Sequence, residues 1–430
     1  MRKDEKVYYL LYNSRMEVYE DAFSFINVYR TKNCSENTQI KDVTALKFLF
    51  SFEEICGTKL EDFSLNDIYT LKAFLHGYIE EGQVYEFRGL ERRTNNSVNA
   101  YLATYREYLR YIKPDAKAEH PLFDSRHIPT PAFPMDYRGP KNDIYRVNDK
   151  TPNPVVKVPE HFSEDEIKRI LDYVVERKDV RSEIIIRLML QCGLRIGEVF
   201  ALTSEDLQMV KESEVTHIPC RFGEEKYVPI AFIRNRKGAP RDRKVKTAMN
   251  VRSRKQYGTS EYKTEKYGYY PVLLPEDLYD LINKYIEESH VAAREKNGER
   301  YWSKTIADKV TDSEEIDENY WIFINSIGTP LSQKSWDRYL REILKAVDVP
   351  VDIGRKEMGL NHRFRHSFAV YMAAYCGVDE LKLSEMLRHH SIATVMTYYH
   401  MTASDQIKLK TEYAESLYAK IPSLRREYND

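Results

Sequence analysis

Prolines recur from Lys113 to Pro159, first in "HPLFDSRHIPTPAFPMDYRGPKND" and then in "KTPNPVVKVPEH", and this stretch limits what the chain can fold into more than any other. Each proline removes a backbone donor and favours extended backbone, so the segment reads as a linker rather than a packed element. At 430 residues the chain is also too long for one ordinary domain. Two folded parts are expected, one on each side of a linker at residues 116–159. An N-terminal extension, residues 1–35, precedes them with no role that the sequence assigns.

Residues 36–115 carry a helical pattern, with apolar residues three and four apart in "IKDVTALKFLFSFEEI", "LNDIYTLKAFLHGYIEE" and "TNNSVNAYLATYREYLRYI". In the last of these, Val98, Tyr101, Leu102, Tyr105 and Leu109 form a stripe and Thr94 is a plausible N-cap. Arg106 and Arg110 fall one turn apart on another face, either as a solvated pair or as phosphate contacts on a helix entering the major groove. Beyond the linker, "HFSEDEIKRIL" opens residues 160–430, with Ser163 and Glu166 placed for a capping box and Phe162 for a staple against Ile167. Helices are expected near 163–178, 180–192, 197–202, 275–290, 332–347, 363–376 and 379–388. Short strands are expected near 217–220, 227–233, 269–274 and 321–325. The fold class is mainly α with a small β-sheet (α+β).

The formal net charge of −1 means that any nucleic-acid binding must rest on local patches. One such patch exists: from Arg234 to Lys266 there are 12 Lys/Arg against 3 Asp/Glu. It is either a mobile solvated loop or a phosphate-contacting insertion with Arg241, Arg243 and Lys244 as candidates. The five cysteines have no short repeat spacing, which argues against a disulfide framework or zinc knuckle and for a reducing compartment. No apolar run reaches signal-peptide or membrane-span length, so a cytoplasmic protein with no membrane partner is expected.

Three motifs carry chemistry. In "LMLQCGLRIGEVFALTSEDL" a helix ends at Gly193, and Arg195 sits in the turn before the next helix. Its rigid fork could face an oxyanion, or simply pair with Glu198. In "NHRFRHSFAVYMA", His362 and Arg365 share a face at a helix start. His362 and His366 are four apart, but no glutamate follows the first histidine and the neighbouring arginines would repel a divalent cation. An anion is the better guest, and no metal or other cofactor is expected. In "LSEMLRHHSIATVMTYYHM", Tyr398 lies nine residues past His389; alone, such a tyrosine is as readily explained by packing.

In combination, "HRFRHSFA" and "HHSIATVMTYYH" after the arginine turn resemble the tyrosine recombinase (phage integrase) family over roughly residues 160–410. Residues 36–115 are similar to that family's core-binding domain. The resemblance implies that Arg195, His362, Arg365 and His389 surround a scissile phosphate and that Tyr398, rather than Tyr399, is the nucleophile. His362 is the expected base-side partner and His389 a donor to the phosphate. It also implies a lysine general acid on a hairpin, which "YKTEKYGYYPVLLP" places at Lys263, with Lys237 and Lys246 as rivals. The chain departs from the family pattern in its long segment before that hairpin and in Arg388, where glycine usually precedes the histidine.

The implied activity is site-specific recombination of double-stranded DNA through a 3′-phosphotyrosyl intermediate and a four-way junction. Four protomers would pair two sites, the two domains of each clamping a duplex, and an accessory directionality factor could join them. A type IB topoisomerase or telomere resolvase would share the chemistry; a non-catalytic DNA-binding relative would not need Tyr398.

Overall fold

In the computed structural model the chain divides into two compact units, Met1–Val155 and Val156–Asp430. The described residues are 2–3, 6–32, 36–77, 93–115, 119–127, 143–150, 158–213, 226–236, 239–245, 248–251, 256–257, 259–263, 268–308, 319–351, 359–389, 392–399, 411, 415–416 and 419. Among them no helix is long and apolar enough to cross a membrane.

The first unit begins with a short pairing of β1 (Arg2–Lys3) and β2 (Lys6–Val7), followed by α1 (Glu20–Ser24), α2 (Glu36–Cys56), α3 (Leu65–His76) and α4 (Asn95–Ile112). The helix starts follow local chemistry. Ser64 and Asp67 form a capping box on α3, Gly77 ends it at φ 71°, and Thr94 accepts a hydrogen bond from the Ser97 amide. Along α4, Val98, Leu102, Tyr105 and Leu109 are fully buried, packed with Leu46, Leu49, Ile68 and Leu71. Ala22, Phe25 and Ile26 lie in the same core, so part of the N-terminal extension has a packing role.

Of the proline-rich stretch, residues 128–142 and 151–157 lie outside the described residues, while the described parts, 119–127 and 143–150, are packed rather than open. Pro121–Phe123 makes a 3-10 turn, β3 (Ser125–His127) pairs antiparallel with β4 (Asp143–Tyr145), and Leu122 and Val147 are buried in the core. Proline is tolerated there because Pro121 opens its turn, where no donor is needed.

This hairpin also corrects the reading of Arg106 as a DNA contact. Its guanidinium lies 3.9 Å from the centroid of the Tyr145 ring and donates to Asn148 Oδ1 at 3.2 Å, and the residue is 4% exposed. Arg110 pairs with Glu107 and covers the Phe123 ring. The arginine face of α4 is thus used to hold the hairpin down. Arg106→Ala should cost this unit roughly 1–3 kcal/mol, because Asn148 loses its partner and the ring its cover. Urea denaturation would check the loss.

The second unit contains α5 (Glu164–Glu176), α6 (Val180–Gln191), α7 (Ile196–Phe200), β5 (Leu207–Lys211), β6 (Tyr227–Arg236), β7 (Asn250–Val251), α8 (Ser260–Lys263), β8 (Tyr269–Leu273), α9 (Glu276–Thr305), β9 (Ile306–Asp308), β10 (Asn319–Tyr320), α10 (Gln333–Ala346), α11 (His362–Ala374), α12 (Glu380–Met386) and α13 (Ile392–Val395). The mainly helical architecture with a small sheet is the one expected. β6 is central, antiparallel to β5 and β8, with β7 parallel to its end. β5 lies outside the expected set, the strand near 217–220 falls outside the described residues, and that near 321–325 consists of isolated bridges at Trp321 and Ile324. α9 runs well past its expected end, with a break at Gly298. Ser163 and Glu166 form the expected capping box, while Phe162 packs on Phe364 with ring centroids 4.5 Å apart.

Three arginines of the basic segment are spent internally. Arg234 and Arg236 both reach the fully buried Asp206, at 3.0 and 2.9 Å, and Arg234 Nε donates to the Tyr262 hydroxyl at 2.6 Å. Tyr262 stacks on Tyr257, whose hydroxyl donates to Glu205 at 2.7 Å. This network ties the residues around α8 to β6. Arg243, expected to contact phosphate, is 3% exposed, donates to the carbonyls of Phe200 and Leu331, and covers Trp321. Lys244 is exposed, and the side chain of Arg241 lies outside the described residues.

Candidate active site

The site is built on the turn between α6 and α7. Gly193 is left-handed (φ 59°), and a Cβ there would come within 2.7 Å of the Phe368 ring, so neither the conformation nor the space admits a side chain. Arg195 then caps α7. Its amide donates to Glu198 Oε2 at 2.8 Å and its Nη1 to Oε1 at 2.7 Å, so the carboxylate fixes backbone and guanidinium together. The structural reading of this pair is the one observed, with the carboxylate fixing where the guanidinium points.

α11 supplies the second half. Arg365 is 3% exposed, donates to the carbonyls of Gly193 and Leu387, and approaches Glu198 Oε2 at 3.8 Å. Arg363 faces elsewhere, over Phe162 at 4.0 Å and hydrogen-bonded to the Pro350 carbonyl. Asn361 at the helix mouth accepts from Trp336 Nε1 at 2.7 Å and donates to Asp337. The crowded stretch "NHRFRH" is thus divided, with Arg363 and Asn361 bracing the helix and Arg365 entering the site.

Tyr398 sits in a 3-10 turn, Met396–Tyr399, within a small apolar cluster of Phe368, Ala369, Leu383, Leu387 and Val395. Its hydroxyl lies 2.8 Å from His366 Nδ1. His366 was not among the expected site residues; the expected partner, His362, is exposed one turn earlier, with its ring 5.9 Å from that of His366. Helical spacing puts both histidines on one face, and only the tertiary placement of residue 398 distinguishes them. Tyr398 is itself 6% exposed, so the phenol is covered in the free chain. Tyr399 donates its hydroxyl to the Val378 carbonyl.

Arg388 is the second residue that the sequence reading left outside the site. It has φ 53°, which accounts for a preference for glycine at this position. Its Nη2 donates to Glu198 Oε2 at 2.8 Å and to the Gly193 carbonyl at 3.2 Å. His389 follows, its amide bonded to the Ser384 carbonyl and its Nδ1 buried with no hydrogen-bond partner among the described residues. The side chains of Lys263, Lys237 and Lys246 lie outside the described residues, although the backbone of Lys263 ends α8.

The electrostatics follow from three guanidiniums around one carboxylate. Burial alone would raise the Glu198 pKa, but Arg388, Arg195 and Arg365 reverse that and hold it down at about 2. Burial and the charge of Arg195 lower Arg365 to about 9, still protonated at neutral pH. His389 is pushed down to about 3 by burial and the three arginines, and His366 to about 4 by burial, His362 and Arg365. Both imidazoles are therefore neutral in the free protein. Burial raises the Tyr398 phenol, and Arg365 and Arg195 oppose that rise. The cage is a largely buried cluster of net positive charge whose chemistry suits an anion, with a phenol and a neutral imidazole at its edge.

These shifts have a sign for stability. Between pH 6.5 and the depressed folded values, the unfolded chain takes up protons that the folded chain refuses. Stability should therefore fall as pH drops from 7 to 5, by at most roughly 1 kcal/mol per histidine per pH unit once solvent screening is allowed for. Denaturant melts at stepped pH would show it, and His366→Phe should flatten the slope.

Residues 160–405, more than half of the chain, match the family model described as the phage integrase family. The chain belongs to that family. Among curated phage integrase relatives, tyrosine recombinase XerC of Lacticaseibacillus casei is 29% identical over 96 residues, 22% of this chain and 29% of the relative. Tyrosine recombinase XerH of Campylobacter jejuni is 22% identical over 268 residues, covering 61% of this chain and 54% of the relative. The matched stretches thus span less than two thirds of either relative. In fold, the chain is similar to the Tn1549 transposon integrase in complex with transposon right end DNA, with a TM-score of 0.52 at 14% identity over 92% of this chain and 99% of that one. It is similar also to XerH bound to a palindromic difH substrate, with a TM-score of 0.51 at 14% identity over 92% and 85%.

Proposed function

We propose that this chain is a site-specific DNA recombinase that cuts and rejoins double-stranded DNA through a 3′-phosphotyrosyl intermediate. The observation that carries the reading is the Tyr398 hydroxyl, 2.8 Å from a neutral His366 and within the field of Arg365 and Arg195. Family membership and the DNA-bound state of the structural neighbours support it.

In this reading, Arg195 and Arg365 hold the non-bridging oxygens of the scissile phosphate, where charge builds as the phosphorus gains a fifth ligand. His366 accepts the phenolic proton, a role that its contact favours over His362. Tyr398 Oη bonds to phosphorus, the P–O5′ bond breaks, and Lys263 is the proposed donor of a proton to the leaving oxygen. His389, with Nδ1 unpaired in the free cage, donates to the phosphate, and exposed His362 meets it from the solvent side. One phosphoester replaces another, so a 5′-hydroxyl from a second duplex reverses the step without ATP. Exchange of both strand pairs needs four protomers on two sites, integrating or excising a mobile element, with an accessory factor able to set direction.

The test is selection from a pool of randomised, nicked suicide duplexes for a covalent protein–DNA adduct, in EDTA. An adduct through a 3′-phosphate is expected. A protein that binds the pool but never becomes covalently attached would overturn the reading.

A further inference from the structure

We propose that Arg388 is a positioning residue of the phosphate cage: it serves as the resident counter-ion of Glu198 and so leaves the charge of Arg365 uncommitted for substrate. This inference rests on the recombinase reading above. Three observations carry it. First, Glu198 Oε2 is held by Arg388 at 2.8 Å, while Arg365 stands off at 3.8 Å. Second, Arg365 and Arg388 share the Gly193 carbonyl, so the two guanidiniums are fixed side by side. Third, Arg388 holds a left-handed backbone that glycine would adopt without strain, yet its side chain is 7% exposed and directed inward.

The consequence is a matter of charge. Glu198 with Arg195 and Arg365 alone is a cage of net +1. Without Arg388, Oε2 keeps the Arg195 amide, and Arg365, 3.8 Å away, becomes its one other cationic partner, so the carboxylate would cancel much of that charge. With Arg388 present the cage is net +2, which matches the two negative charges that a phosphodiester carries at its five-coordinate stage. Arg388 acts through Glu198 and Arg365, with no contact to the reacting atoms required.

The experiment compares wild type, Arg388→Gly and Arg388→Lys in single-turnover cleavage of a selected suicide duplex. Each is assayed with a natural phosphate and with a neutral methylphosphonate at the cut position. Arg388→Gly should fold, since its backbone is relieved, and should cleave the phosphate about 30-fold more slowly, with DNA affinity changed by less than about threefold. On methylphosphonate, which develops one negative charge fewer, that defect should shrink to within about threefold. Arg388→Lys, which keeps the charge without the fork, should lie between the two. In Arg388→Gly the His389 ring, followed by NMR, should also protonate at a higher pH. Wild-type cleavage by Arg388→Gly, or an equal defect on both substrates, would overturn the proposal. If Arg388→Gly does not fold, an Arg388→Lys defect of the same size on both substrates does so. Absence of any wild-type adduct would instead overturn the recombinase reading itself.

Discussion

Tyr398→Phe is expected to abolish the covalent adduct, by roughly four orders of magnitude or more, while Tyr399→Phe stays within about threefold of wild type. The two tyrosines are adjacent, and composition does not separate them. Their hydroxyls do, since that of Tyr398 meets His366 while that of Tyr399 is bound to the Val378 carbonyl. Loss of the Tyr398 hydroxyl should cost only about 1 kcal/mol of stability, because it breaks one hydrogen bond to a neutral partner. A denaturing gel of the suicide reaction reads the first effect and a urea melt the second. Tyr398 is 6% exposed, so the proposed reaction requires the turn carrying it to shift before the phenol reaches a phosphate. Hydrogen exchange at Met396–Tyr399 should accordingly rise when DNA binds, and an adduct formed by Tyr398→Phe would remove the chemical argument altogether.

Glu198→Gln carries the second large effect, this time on the fold as well as on activity. The carboxylate is 2% exposed and neutralises one of three guanidiniums that converge on it. A neutral amide leaves those charges facing one another in a desolvated site, a loss of about 3–5 kcal/mol. Its pH signature is distinct. The folded pKa of Glu198 is depressed from 4.5 to about 2, so its contribution is fully present above 4.5 and is lost as pH falls toward 2. Wild type should therefore show a steeper acid limb in that window than Glu198→Gln. A variant as stable as wild type at pH 7, with the same acid limb, would show that the carboxylate does not hold the cage.

Much of the architecture was legible because it follows from local rules. The stripe on α4, the Ser163 capping box and the break at Gly193 each depend on residues within a few positions of one another. The arginines were harder. A sequence pattern shows that Arg106 leaves the apolar stripe of α4, but it does not show Tyr145 folding back to cover it, nor Trp321 covering Arg243. The packing of residues 119–127 and 143–150 was missed for a related reason, since a few buried residues such as Leu122 and Val147 suffice to pack a segment that periodicity calls open. Of the proposed site, motif order singled out Arg195 and Tyr398, which the fold places around Glu198 and beside His366. The partner of the phenol was not, because His362 and His366 are equivalent in helical spacing and only long-range packing chooses between them.

The Gly193 carbonyl binds arginines 172 and 195 positions further along the chain. Such distant pairings form late, because a long loop must be closed before any of its contacts is gained. A newly made or partly refolded molecule would hold its helices before it holds its cage. The three guanidiniums would then converge on Glu198 only with the last closure, so a half-finished copy would have its helices but not its charged cage.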